Sequence, residues 1–251
     1  MRKILYFAIP AIFLAASSAA FGADFWENKP FDEWSQKECS KLLENSPWAR
    51  DFTLIDSRLQ QSTSASDDGQ QFHIKYQIQL RSAMPVRQAV VRQMQIAQKY
   101  DSLGPEQKQQ FDKGAKSFLD SNFSEAVVVY VTYETNSQAK AMELSRHWQS
   151  QTTDVLKNTV FLRNSRGEQV PLAQFNPPQG AERSFQFIFP RQINGKPFLD
   201  PEDKSLQLEF TYPVVIVPGG SSYNEADKLG NGKGFLEFKP KKMLFQGNLV
   251  Y

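Results

Sequence analysis

The sequence predicts an α+β protein with helices in its N-terminal half and a β-sandwich-like, Ig-like C-terminal half. Apolar residues recur at helical spacing over 85–119. From residue 159 onward they recur with a period of two, and clusters of Pro, Gly and Asn separate the short runs. We therefore expect the N-terminal helices to pack on the sheet or to be inserted beside it.

The first residues have the order of a secretory signal peptide. Arg2 and Lys3 precede an almost wholly apolar run over 4–16, and 17–23 is rich in small residues. This pattern predicts a signal peptide over 1–22, with a retained membrane anchor as the alternative. The candidate cleavage points follow Ala20, Gly22 and Ala23. Because no later segment has the length of a membrane span, we expect a soluble chain exported to the periplasm or the cell exterior.

Segment 23–158 is expected to mix helices with strands. The apolar spacing predicts helices over 31–43, 85–100, 105–119 and 137–148. Alternation and β-forming residues predict strands over 48–56, 72–80 and 126–133. The strand at 126–133 is nearly continuous in β-formers, which is typical of a central strand covered on both sides. The polar run over 58–71 is predicted to be a loop.

Segment 159–251 is expected to be rich in strands. The strands are predicted over 159–162, 169–172, 184–189, 206–211, 214–217, 235–238, 243–245 and 249–251. The glycine-containing stretch 231–234 resembles a loop. The change of period suggests a domain boundary near residue 158, and one continuous domain over 23–251 is the alternative.

Composition excludes several classes of function. The chain has 29 Lys and Arg residues and 27 Asp and Glu residues. Since Arg2 and Lys3 belong to the leader, the mature chain is formally neutral, which argues against a nucleic-acid partner. The single Cys excludes an intramolecular disulfide and a multi-cysteine metal site. We predict no metal, no cofactor and no catalytic residue.

Three residues are candidate sites. Cys39 falls on the apolar arc of the first predicted helix, which favours a buried thiol; an intermolecular disulfide is the alternative. His73 lies on the polar side of an alternating strand, and His147 lies on the polar flank of a helix. We expect both imidazoles to be exposed, because nothing in their spacing indicates a metal site.

Several short polar stretches are expected to be turns or loops. Carboxylates at 67–69 and 200–203 are of the type that binds calcium, but neither stretch has the EF-hand pattern, so both are predicted to be turns. The stretch 218–222 lacks the Lys of a phosphate-binding loop. Three lysines near the C-terminus are predicted to lie on a solvated turn: Lys239, Lys241 and Lys242.

Aromatic residues form two groups along the chain. They are Trp26, Phe31, Trp34 and Trp48 near the mature N-terminus, and Phe185, Phe187 and Phe189 along one predicted strand. Aromatic residues at such spacing are typical of a core, and an exposed subset would indicate contact with a protein or a glycan.

Several segments resemble an uncharacterised family of exported bacterial proteins that occurs alongside proteins with the GWxTD domain. The resemblance covers most of the mature chain, although the Gly-Trp-x-Thr-Asp motif itself is absent. The residues that carry it are Trp26–Pro30, Trp34, Leu42–Leu43, Ser46–Ala49, Ser82–Arg87, Leu156–Leu162, Phe189–Arg191, Lys241–Met243 and Gln246–Gly247. It implies export from a bacterial cell and implies no activity.

Taken together, these features favour a non-enzymatic exported binding or structural module. Its partner would be a protein or a glycan, contacted through the loops at 58–71 and 218–234. The alternative is an exported hydrolase that works through two carboxylates, one with a raised pKa. The sequence indicates neither the oligomeric state nor the strand order.

Overall fold

The computed structural model describes residues 24–55, 73–213 and 231–251, and the fold is α+β with antiparallel sheets. The predicted signal peptide 1–22, the loop at 58–71 and the strand at 214–217 lie outside these residues. No helix within the described ranges has both the length and the apolar character that crossing a membrane requires.

The strands of the described residues form two main sheets and two small hairpins. In chain order they are β1 Ala49–Ile55, β2 His73–Leu80, β3 Ala126–Thr135, β4 Phe161–Asn164, β5 Gln169–Pro171, β6 Gln174–Asn176, β7 Ser184–Pro190, β8 Gln192–Ile193, β9 Lys196–Pro197, β10 Leu206–Pro213, β11 Asn231–Phe238, β12 Leu244–Phe245 and β13 Asn248–Leu249. The larger sheet has the order β1-β2-β3-β7-β6, and the second has the order β11-β10-β4-β5. Strand β7, which follows residue 158, pairs with β3, which precedes it.

Six α-helices accompany the sheets in the part of the chain that the structure describes. They are α1 Phe25–Asn28, α2 Gln36–Glu44, α3 Met84–Ala97, α4 Pro105–Leu119, α5 Gln138–Ser150 and α6 Thr153–Leu156. The predictions of helices over 85–100, 105–119 and 137–148 are therefore confirmed to within a few residues. Proline at the first turn of α3 and of α4 suits a position where the backbone N–H has no helical partner.

The single helix predicted over 31–43 is wrong at its start. Phe31–Glu33 forms a 3₁₀ turn, and α2 begins only at Gln36. The reason is a capping box: Glu38 N donates to Ser35 Oγ at 3.3 Å, and Ser35 N donates to Glu38 Oε2 at 2.7 Å. A residue that caps a helix has non-helical backbone angles, so the helix cannot continue through Ser35.

Aromatic side chains join the two main sheets. The fully buried ring of Phe210 on β10 lies 5.9 Å from the ring of Tyr76 on β2 and 6.1 Å from that of Phe187 on β7, measured between centroids. On the same face of the larger sheet, Trp148 of α5 stacks on Phe185 at 4.1 Å. The apolar positions of β2 and β7 alternate as predicted, and their apolar sides form this shared core.

The prediction of a loop at 231–234 is wrong, because these residues begin strand β11. The strand pairs with β10 along its whole length. Two aromatic rings of β10 lie directly over glycines of β11. A Cβ atom at Gly234 would lie 2.6 Å from Cε1 of Phe210, and one at Gly232 would lie 2.3 Å from Cε2 of Tyr212. These glycines therefore make room for rings on the neighbouring strand, an arrangement known from other sheets.

Candidate functional site

The three tryptophans at the start of the described residues belong to the core. Trp26, Trp34 and Trp48 are at most 5% exposed, and the three phenylalanines of β7 are equally buried. The prediction that these aromatic residues form core is confirmed, while Phe31 is partly buried against the same cluster. The tryptophans are thus removed as a recognition surface.

Cys39 is a buried thiol, as predicted. Its exposed fraction is 0%, and burial raises the pKa of the thiol to about 11. A thiol enclosed in this way cannot reach a cysteine of another molecule in the folded state, which speaks against the intermolecular disulfide.

The two histidines are partly buried, although the sequence predicts exposed imidazoles. His147 lies edge-on to Trp148, with ring centroids 5.2 Å apart, and burial lowers its pKa. His73 begins β2, and its backbone N–H donates to Oδ1 of Asn136. Across the described parts of the chain, no three His, Cys, Asp or Glu side chains are grouped as metal ligands.

The acidic stretch at 200–203 is a turn, as predicted. The Asp203 carboxylate is buried, pairs with Arg166, and accepts hydrogen bonds from Ser165 Oγ at 2.9 Å and from Asp200 N at 2.8 Å. Its oxygens are therefore occupied by the turn itself. The three C-terminal lysines are exposed around a 3₁₀ turn at Pro240–Lys242, which confirms the solvated turn. The stretches 67–69 and 218–222 lie outside the described residues.

The most distinctive surface is the polar face of the larger sheet, opposite its aromatic core. Because β2 alternates, Lys75 and Gln77 point away from the core, and the strand register sets Lys75 opposite Glu134 and Gln77 opposite Thr132 of β3. Thr132 in turn faces Ser184 of β7. These side chains line a shallow concavity of about 380 Å³, to which Tyr130, Glu182 and Arg183 also contribute. We call this surface the polar sheet face.

A second row of the polar sheet face is a ladder of amides around one tyrosine. The register places Gln79, Tyr130, Gln186 and Asn176 side by side on four strands. Asn176 Nδ2 donates to Gln186 Oε1 at 3.0 Å. At the other end, Gln79 Nε2 donates to the carbonyl of Leu43 at 2.8 Å, so the C-terminal end of α2 covers that corner. Gln77 Nε2 donates to the same carbonyl at 3.0 Å. Lys75, Thr132 and Ser184 stay partly exposed.

Arg81 closes one end of this ladder. Its guanidinium carbon lies 3.9 Å from the centroid of the Tyr130 ring, and Nη2 donates to Gln79 Oε1 at 2.7 Å. Burial lowers the pKa of Arg81 to about 10, and its Nε is buried without a hydrogen-bond partner among the described residues. A cation in such a setting is stabilised mainly by the π-face of the tyrosine.

The polar sheet face presents hydrogen-bonding and charged groups of several kinds. Its amides and hydroxyls donate and accept hydrogen bonds, and both signs of charge are present, all on a hydrogen-bonded sheet that holds them in place. Of this face, the sequence predicts only the polar side of β2, through the alternating positions of Lys75, Gln77 and Gln79. The partners on β3 and β7 depend on strand register, which one strand's pattern does not contain.

Comparisons with protein-family models, with curated proteins and with solved structures found no match to this chain. The polar sheet face is therefore interpreted from its own geometry alone.

Proposed function

We propose that the chain is an exported, non-enzymatic binding or structural module and that a protein or glycan partner contacts the polar sheet face. The observation that carries the proposal is the row of Lys75, Gln77, Thr132 and Ser184 across three strands, which lines the concavity. Polar partners bind through such arrays, because hydrogen bonds fix their orientation and a rigid frame limits the entropy lost on binding.

The carboxyl groups support binding over the hydrolase alternative. A general acid in a hydrolase needs a raised pKa. The described carboxyl groups with a shifted pKa are Glu38, Asp154 and Glu168, and in each of them hydrogen bonds lower it. They are therefore ionised at neutral pH and serve the local structure.

The leader pattern and the family resemblance support export from a bacterial cell, to the periplasm or beyond. We propose further that the two sheets, joined through Phe210, form a sandwich-like, Ig-like unit. Such units often bind through loops at one end, and the contact regions predicted at 58–71 and 218–234 stay part of this proposal. Of these residues the structure describes only 231–234, which begin β11.

A pair of matched arginine substitutions tests this proposal. Thr132→Arg places a long cation in the centre of the polar sheet face, whereas Gln207→Arg places one on the exposed side of β10 in the other sheet. Binding of the purified variants to glycan arrays and to extracted envelope proteins would be compared with that of the unsubstituted protein. We expect Thr132→Arg to weaken binding at least about tenfold, and Gln207→Arg to leave it unchanged.

Equal binding by both variants would remove the polar sheet face as the contact surface. We expect the unfolding curves of the two variants to coincide. This result would show that the loss of binding reflects the changed surface and not a changed fold.

A further inference from the structure

We propose that the groove between α3 and α4 binds a single-chain amphiphile with a carboxylate headgroup, a long-chain fatty acid, whose tail lies on the apolar floor and whose carboxylate pairs with Arg81. The groove shares Arg81 with one end of the polar sheet face, but its floor lies between α3 and α4, and the proposal does not rest on the proposed function.

The groove has the size and the lining of a small-molecule site. Its volume is about 610 Å³, and its floor is made of aliphatic, aromatic and thioether side chains. They are Val90, Val91 and Met94 of α3, and Phe111, Ala115 and Phe118 of α4. Pockets for small ligands are mostly apolar, with a few placed polar groups, and fall within this range of volumes.

Helix α4 leaves its apolar stripe incompletely covered. None of its fifteen residues is buried, although Phe111, Ala115 and Phe118 share one side of the helix. Across the groove, Met94 is 50% exposed. The far end of the helix is nevertheless held in place, because Nη1 of the buried Arg87 donates to the carbonyl of Ser121 at 3.1 Å and to those of Phe118 and Leu119. The groove is thus a fixed feature whose apolar surface would gain from a bound hydrocarbon chain.

The positive charge of Arg81 favours a negatively charged headgroup on the ligand. Arg81 is the one charged residue among the described residues that line it; the other polar ones are the neutral amides Gln98, Gln107 and Gln110. Within the described parts of the chain, Arg81 pairs with no carboxylate, and its Nε has no partner. A partly desolvated cation without a counter-ion favours an anion, and guanidinium matches carboxylate in shape.

Titration of the purified exported protein with free fatty acids, below their micelle concentrations, tests the site directly. Saturated acids of increasing length and the primary alcohols of equal length are the probes. We expect binding to tighten by about tenfold for each two added methylene groups until the groove is filled. We expect each acid to bind at least about tenfold more tightly than its alcohol, because only the acid pairs with Arg81.

Gly114→Leu separates loss of the groove from loss of the fold. An added Cβ at Gly114, a residue that lines the groove in the middle of α4, has no atom within 4 Å. Leucine therefore fills the groove and also favours the helix. We expect fatty-acid affinity to fall at least about tenfold with an unchanged or higher unfolding midpoint. Gln109→Leu adds the same side chain to an exposed position of α4 outside the groove and should leave binding unchanged.

Arg81→Gln tests the headgroup. The variant should bind an acid no better than its alcohol, while its affinity for the alcohol stays that of the unsubstituted protein. Equal affinity of acid and alcohol in the unsubstituted protein, or affinity independent of chain length, would overturn the proposal. The proposal would also be overturned if the protein bound no fatty acid but self-associated, and if Gly114→Leu abolished that self-association. A second copy would then occupy the groove.

Discussion

The indole Nε1 of Trp48 donates a hydrogen bond to the main-chain carbonyl of Val250 at 2.7 Å. The two residues are 202 positions apart in the chain. The same indole packs edge-on against Trp26, with centroids 5.6 Å apart, and the backbone N–H of Gln246 donates to the Glu27 carboxylate. The C-terminal hairpin β12–β13 is thus attached to the N-terminal aromatic cluster, so the two ends of the described chain stabilise each other.

Trp48→Phe tests this attachment. The substitution leaves the partly buried carbonyl of Val250 without its donor and removes part of a fully buried ring. We expect it to lower the free energy of unfolding by about 2 kcal/mol, measured by urea denaturation. Phe235 is 64% exposed, so Phe235→Leu is the control and should change stability by less than about 0.5 kcal/mol. Equal stability of the two variants would show that the hairpin is not held through Trp48.

Gly234→Ala tests the fit between β11 and the ring of Phe210. The added methyl would lie 2.6 Å from Cε1 of a fully buried ring that packs against Tyr76 and Phe187. We expect a loss of about 1–3 kcal/mol in the free energy of unfolding.

Gly114→Ala is the matched control for Gly234→Ala. Its methyl group contacts nothing within 4 Å, and the residue lies within a helix, so it should stabilise the protein by up to about 1 kcal/mol. Opposite signs for the two glycines are the expected result in thermal or urea unfolding. A neutral Gly234→Ala would mean that Phe210 does not require a glycine beside it.

The sequence predicted well those elements whose buried positions follow from a periodic pattern within the element itself. Strand β2 alternates strictly, and α4 repeats apolar residues at helical spacing, so each pattern identifies its own element. The start of α2 also has a local signal, because Ser35 and Glu38 have the spacing of a capping box, whereas the apolar spacing over 31–43 predicts an earlier start.

The sequence did not predict features that depend on residues far apart along the chain. Gly232 and Gly234 have the composition of a loop, and only the rings of Tyr212 and Phe210 on the next strand make them strand residues. The polar sheet face likewise requires the register of β2, β3 and β7. Strand pairing is non-local information, whereas periodicity within one segment is local.

Glu38 makes stability depend on pH at the acidic end. The backbone N–H of Ser35, then Lys29 Nζ at 2.9 Å and the Ser35 hydroxyl lower its pKa from 4.5 to about 2. A carboxyl whose pKa is lowered by folding stabilises the protein above its unfolded pKa, and that contribution is lost as the pH falls through the folded value. We therefore expect unsubstituted protein to exceed Glu38→Gln in stability at neutral pH, and the difference to shrink between about pH 5 and pH 2.

Urea denaturation of both proteins across this pH range measures the difference in stability directly, because the contributions of the titratable groups common to both proteins cancel. Glu33→Gln, at an exposed position of the preceding 3₁₀ turn, is the control and should show no such convergence. A stability difference for Glu38→Gln that stays constant down to the lowest pH would contradict the assigned role of its hydrogen bonds.

Cys39 should be unreactive until the protein unfolds. The thiol is fully buried on α2, and burial raises its pKa to about 11, so the reactive thiolate is about one thousandth of the population near pH 8. We expect a maleimide reagent to modify no cysteine in the native protein and one cysteine per chain in concentrated guanidinium, as counted by mass spectrometry. Lys37→Cys, an exposed position on the same helix, should add one native-state modification and thereby shows that the reagent is active. Rapid native-state modification of the unsubstituted protein would mean that α2 opens readily from the core, since Cys39 has no other route to the solvent.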